Sequence, residues 1–364
     1  MKEKKSRASK IFQAVLFAVT LGLLSYFCIS NNNLITLLHS LPTLSLFWLL
    51  CAIFAVLLGW VLDSLVIKNL VGQARVNYGY AHAFKVTMVG QYFNSITPFA
   101  VAGQPAQLLS MVRQGVTSGV ALSALVRKFL IYQTTLTVYS FLVIVIKYSF
   151  FRNEIQGFMA LAVIGFVCQS GLVLLLLLFS HSPKFTTRLI HGTVWLLTKV
   201  HIVKKPKETN EKVEQQLAFY IENNKTLTGN RLMGIRIYTY TAAQLTALFA
   251  VPFFIYKAFR NPGAPFLDML AAQSFVTMIS SYTPLPGAAG AAEGSFLVLF
   301  QIFFQSDVIR QAMLLWRFIT YYSCIIVGAF FAGFGGNKNP EKSDNNSRNG
   351  KDKQPANNGG NHNE

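Results

Sequence analysis

The sequence has 364 residues, 52% of them hydrophobic and 13% charged, with a mean hydropathy of +0.41. That is too apolar for an ordinary soluble domain and reads as an all-α, polytopic membrane protein. The formal charge of +18, from 32 Lys and Arg against 14 Asp and Glu, does not call for nucleic acid: the basic residues lie mostly between apolar runs, where membrane orientation and anionic lipid account for them.

In chain order, residues 1–10 form a basic N-terminus and 11–30 an apolar run of about twenty residues, long enough for a first span. A secretory signal is the rival reading, but no small-x-small cleavage site follows. Residues 31–43 contain no Lys or Arg, as an external loop should, and 44–67 form a second span carrying Asp63. Residues 86–112 hold a Thr-Pro break with arms at about 86–97 and 103–112, each too short to cross the membrane. This stretch reads as a re-entrant hairpin from the cytoplasm, with Asn94, Gln104 and Gln107 available to its broken backbone; a surface-lying amphipathic hairpin is the alternative. The run 119–147 is the third span. Lys128 is expected to snorkel to the inner interface, and Arg127 either to do the same or to serve as a ligand group.

Residues 155–180 are the fourth span. The segment 181–233 is a basic connector, with seven Lys and Arg between 183 and 212, expected in the cytoplasm against anionic headgroups. Residues 234–256 form a fifth span that Pro252 is expected to kink. A second Thr-Pro element occupies 266–305, as a hairpin or two short spans, and 308–334 is the last span, with Arg317 near its middle. The remainder, 335–364, is polar and expected to be a disordered cytoplasmic tail. The membrane domain is thus 11–334, with both termini inside.

No cofactor or metal site is expected. The four cysteines sit inside apolar runs without paired spacing, and His181, His191 and His201 recur every ten residues, which does not place them on one helix face. No G-x-x-x-x-G-K-[ST] motif is present, so any transport would run on a gradient or downhill.

Chemistry concentrates in the second Thr-Pro element, Ser281 to Phe296. Pro284 and Pro286 interrupt the backbone, the small-residue run from Gly287 to Ala292, with Gly290 within it, admits close approach, and Glu293 puts a carboxylate among apolar residues. A charge at the bilayer centre costs about 3 kcal/mol on insertion scales. The first element repeats the construction. Ser95-Ile-Thr97-Pro98 parallels Ser281-Tyr-Thr283-Pro284, and nine residues beyond each proline stand Gln107 and Glu293. With three spans between them the two elements would enter from opposite faces, giving an inverted-repeat helix bundle whose proline-broken re-entrant elements meet near the midplane. Glu293 is expected close to Arg317, either at a substrate site or as a buried pair that only sets helix packing.

At these residues, Asn94 to Pro98, Ala102 to Gln107 with Gly103, and Pro284 to Gly287 followed by Gly290 to Glu293, the chain resembles the flippase-like transmembrane domain. This is the membrane half of bacterial lysylphosphatidylglycerol synthases, the multiple peptide resistance factors. The resemblance covers about 10–335. It implies translocation of a phospholipid, an anionic one in particular, or of another lipid-linked headgroup across a bacterial cell membrane. In the alternative the chain is a phosphatidylglycerol lysyltransferase or its membrane subunit, with a role in resistance to cationic peptides. In the two-part relatives a C-terminal soluble domain transfers lysine from lysyl-tRNA; this chain ends in a tail of about thirty polar residues, so that domain is expected to be absent. A homo-oligomer or a partner synthase is a possible associate.

Overall fold

A computed structural model describes residues 41–74, 76–154, 165–167, 169–171, 173–174, 231–281 and 283–333. The expected span at 11–30, the connector as far as 230 and the tail beyond 334 lie outside the described residues, as does most of the span expected at 155–180. Every regular element among the described residues is helical. In a hydrocarbon environment that is what a long apolar chain must do, because only a helix satisfies its backbone N–H and C=O groups within one segment.

Among the described residues, ten α-helices carry the architecture: α1 Leu46–Gly72, α2 Tyr80–Ile96, α3 Gly103–Arg113, α4 Ser118–Glu154, α5 Arg231–Phe249, α6 Val251–Ala258, α7 Phe266–Ser280, α8 Ala291–Phe300, α9 Ile309–Arg317 and α10 Ser323–Gly333. Among the described residues, four stretches are long and apolar enough to cross a membrane: α1, the 118–147 part of α4, α5 with α6, and α9 through α10. The protein is therefore a polytopic membrane helix bundle. The helix is interrupted at Ala250, between α5 and α6, two residues before Pro252, which cannot donate to the carbonyl one turn before it. A five-residue π turn, Phe318–Tyr322, joins α9 to α10 immediately after Arg317.

The ends of the bundle can be told apart by their contacts. At one end Ser45 N donates to Ala258 O at 2.8 Å, and Lys147 Nζ lies 2.5 Å from Asp268 Oδ1 at the start of α7. The ring pairs Tyr256–Phe304 and Phe150–Phe303 bring the exit of α8 to the same end. At the other end Leu70, Val71, Tyr78, Met111, Val116 and Ala121 form one buried cluster with Ile237 of α5. The two hairpins, α2–α3 and α7–α8, therefore open toward opposite ends of the bundle. Their tips, Pro98–Ala100 and Pro286–Ala288, pack against each other. Helices α3 and α8 have 11 and 10 residues, so each reaches only about 15 Å, half a hydrocarbon core.

Between lipid-solvated helices there is no hydrophobic driving force, so close van der Waals packing decides association. A Cβ added to Gly328 of α10 would stand 2.8 Å from the Met88 carbonyl and 2.7 Å from Tyr92 Cβ, so glycine lets α10 lie on the α2 backbone. Aromatic stacking completes the second hairpin. Phe296 stacks on Phe300 at 4.3 Å and on Trp316 of α9 at 5.0 Å between ring centroids.

The snorkelling expected of Lys128 is not what the bundle shows. Lys128 Nζ lies 2.7 Å from Asp63 Oδ2 on α1, and Gln244 of α5 donates to the other carboxylate oxygen at 3.4 Å. A carboxylate within reach of the lysine makes pairing better than stretching to the interface, because each charge relieves the desolvation of the other.

Candidate functional site: a polar cleft between two hairpin tips

Helix α2 stops where Pro98 has no N–H to donate, and Thr97 Oγ1 turns back to the Phe93 carbonyl at 2.6 Å. The chain then runs left-handed through Phe99 and Ala100, both at φ 53°. The second tip repeats this backbone with Pro286 leading, Gly287 at φ 59° and Ala288 at φ 54°. A non-glycine residue in this region is disfavoured by roughly 1–2 kcal/mol, and three of the four tip residues are not glycine. Mutual packing of the tips holds them there.

This geometry corrects the internal repeat. The structural partner of Pro98 is Pro286, not Pro284, since each opens a three-residue turn, and Gly103 and Ala291 begin the helices that follow. On that register Glu293 corresponds to Pro105 and Gln107 to Ser295, so the two side chains expected to be equivalent are not. The sequence match is two residues out because the second hairpin has a longer link, Ser281–Leu285, before its turn.

Between the tips lies an open cleft of about 260 Å³. Asn94, Phe99 and Ala100 line it from the first hairpin; Gln273, Thr277, Ser280, Ser281, Thr283, Leu285, Gly287 and Ala288 from the second; Trp316 and Arg317 from α9. Arg317 is its charge centre and is buried. Its Nε is 2.8 Å from Glu293 Oε1, its Nη1 donates to the Gly287 carbonyl at 3.0 Å, and its guanidinium lies 5.1 and 5.3 Å from the ring centroids of Trp316 and Tyr321. The remaining nitrogen, Nη2, has no partner. Glu293 is the third residue of α8, where the helix dipole favours an anion, and its Oε2 accepts the Gly290 N–H at 2.7 Å. The expected proximity of Glu293 and Arg317 is present, but only the arginine is interior; 31% of the glutamate side chain is exposed.

The other residues singled out in the sequence divide between tip, hairpin and bundle. Pro98, Thr97 and Pro286 shape the turns, and Pro284 sits in the link before the second. Gly290 caps α8 at φ 83°. Gly103 and Gly287 are close-approach positions: a Cβ would fall 1.8 Å from Asn94 Oδ1 at the first and 2.2 Å from the Tyr321 ring at the second. Gln107 is buried over Gly90 inside the first hairpin, its amide 3.4 Å from the Val86 carbonyl. Gln104 is exposed and does not line the cleft. Arg127 lies apart from the cleft and donates to Gln73 at the end of α1 at 3.2 Å.

The sequence reading passed over Gln273, Thr277, Ser280, Trp316 and Tyr321. A signal was available for the first three: with Ser281 they recur at i, i+4, i+7 and i+8, a polar stripe along one face of α7. For the two aromatics there was none, since neither differs in sequence from core residues.

These features define a class: a multi-pass helical membrane protein with a polar cleft where two proline-broken hairpins meet. Within that class, the chain belongs to the lysylphosphatidylglycerol synthase TM region family, whose profile matches residues 11–328, in accord with the resemblance carried by the two motifs. It is also similar to a UPF0104 membrane protein of Archaeoglobus fulgidus, 25% identical over 329 residues, which cover 88% of this chain and 93% of the relative.

Proposed function

We propose that the cleft receives the phosphate-bearing headgroup of a membrane lipid, and that the protein carries that lipid between leaflets. The observation that carries this reading is Arg317: a buried arginine with one unpartnered N–H group, lining a cleft between hairpins that open toward opposite ends of the bundle. Guanidinium is the side chain best matched to phosphate. Ionisable groups inside a membrane bundle mark substrate paths by default, and paired broken helices meeting at mid-depth are a construction that alternating-access transporters use. On this reading both hairpins are re-entrant, the first from the cytoplasm and the second from outside. Exposed Phe99 and Leu285 at the cleft give acyl chains an apolar margin.

The test is translocation of headgroup-labelled phospholipid in liposomes containing only this protein. Wild type should equilibrate label between leaflets well above protein-free vesicles, and Arg317→Gln should lose at least tenfold of that rate. Wild-type vesicles no faster than empty ones would remove the reading.

A further inference from the structure

We infer that Tyr321 is a positioning residue that carries the position of the first hairpin to Arg317, so that the two hairpins cannot move apart without disturbing the arginine. Its role in transport rests on the translocation reading above; the coupling itself does not.

The helices around Arg317 divide into two sets. Helix α10 is keyed to the first hairpin: Gly328 lies on the α2 backbone beside Met88 and Tyr92, and Phe331 meets Phe84 edge to face at 5.5 Å. Helix α9 is keyed to the second, through the Trp316–Phe296 stack and the contacts of Arg317 to Glu293 and the Gly287 carbonyl. The two sets join at the π turn Phe318–Tyr322, where the Ser323 N–H bonds back five residues, to the Phe318 carbonyl. A movement of one hairpin against the other, each with its own helix, falls on that turn.

Tyr321 is the residue of the turn that holds both sets. Its ring fills the space over Gly287 and lies 5.3 Å from the guanidinium, on the side of the second hairpin. Its hydroxyl donates to the Ser95 carbonyl of the first, at 2.9 Å. That carbonyl belongs to the last turn of α2, where the helix stops before Pro98 and helical donors run out. The hydroxyl therefore satisfies an acceptor that a helix end within a bundle would otherwise leave bare. While the bond stands, the first hairpin fixes the ring face presented to Arg317. When that hairpin withdraws, either the bond breaks or the ring leaves Gly287 and Arg317. Coupling of this kind is reciprocal, so losing Arg317 must also loosen the hold on Ser95.

The experiment reads Ser95→Cys, which puts a thiol at a buried position and leaves the backbone carbonyl in place. Its alkylation by a maleimide, in the full chain in detergent, is followed by peptide mass spectrometry, which separates it from the native cysteines. Tyr321→Phe keeps the ring and removes only the hydroxyl; it should raise the alkylation rate at least fivefold. Arg317→Gln should raise it too, and the double variant no further than the larger single effect. Ser140→Cys, also buried but on α4, should be unmoved by any of them. In liposomes Tyr321→Phe should lower the translocation rate at saturating lipid at least fivefold. The half-saturating lipid fraction should change less than twofold, since Arg317 keeps its partners on the second hairpin. Ser95→Cys alkylation unchanged by Tyr321→Phe overturns the inference, as do single effects that multiply in the double variant. A matching rise at Ser140→Cys overturns it in favour of general loosening. Tyr321→Phe translocating at the wild-type rate overturns the role in transport. Wild-type vesicles no faster than empty ones, with the alkylation pattern intact, remove the translocation reading and uphold the coupling.

Discussion

The Tyr321 hydroxyl donates to the Ser95 carbonyl at 2.9 Å, across 226 positions of chain. Ser95 lies in the last turn of α2, and Tyr321 sits in the π turn directly after Arg317. The bond therefore ties the first hairpin to the residue that organises the second. The same tyrosine ring occupies the space over Gly287. Single π turns recur at functional positions in helices; here one separates the helix that presents Arg317 from the helix that packs on α2.

Breaking the Arg317–Glu293 pair should be asymmetric. Glu293→Gln strands the buried Arg317 guanidinium without its counter-charge and is expected to destabilise by about 3 kcal/mol, with a steep drop in translocation. Arg317→Gln leaves a carboxylate that is partly exposed and still accepts the Gly290 N–H, so stability should fall by about 1 kcal/mol while translocation is lost. Thermal unfolding and vesicle assays on the same preparations check both. A folded, fully active Glu293→Gln would leave the glutamate a packing residue.

Glycines should separate by position. Gly287→Ala puts a Cβ into the Tyr321 ring at φ 59° and is expected to cost about 1–3 kcal/mol and open the tip. Gly294→Ala, in α8 with nothing within 4 Å, should be neutral or slightly stabilising, since alanine is the better helix former. Melting temperatures of the two variants, measured side by side, make the comparison.

The Asp63–Lys128 pair, remote from the cleft in sequence and contacts, should behave as a buried structural pair. Asp63→Asn is expected to cost about 3–5 kcal/mol, and the double replacement Asp63→Leu with Lys128→Met much less. Expression yield and unfolding of the three proteins test this. A double variant as unstable as the single one would show that hydrogen bonds to the pair, such as that from Gln244, carry more than the charges.

Orientation is checked with a membrane-impermeant maleimide on intact cells. Pro262→Cys, in the loop before α7, should be labelled from outside, whereas Thr117→Cys, before α4, should not. Lys204→Cys should follow Thr117, because residues 183–212 carry seven Lys and Arg while 31–43 carry none. Pro262 and Thr117 labelled from the same side would contradict the opposed hairpins.

What the sequence by itself determined is the part written in composition and punctuation. Apolar runs set the four described spans, Pro98 and the pair Pro284 and Pro286 marked the breaks, and isolated charges in apolar surroundings drew attention to Glu293 and Arg317, which the bundle brings to 2.8 Å. These are legible because backbone interruption and the cost of burying charge depend on residue type alone. Tertiary structure decided the rest. Lys128 found Asp63 65 positions away, Gln107 turned onto Gly90 within its hairpin, and Arg127 went to Gln73. The repeat register followed where the left-handed turn closed, at the second proline of Thr283-Pro-Leu-Pro286, because Gly287 and Ala288 tolerate that turn when packed against Phe99 and Ala100. Each of those outcomes depends on which groups stand opposite one another across helices, and a one-dimensional pattern does not contain that distance.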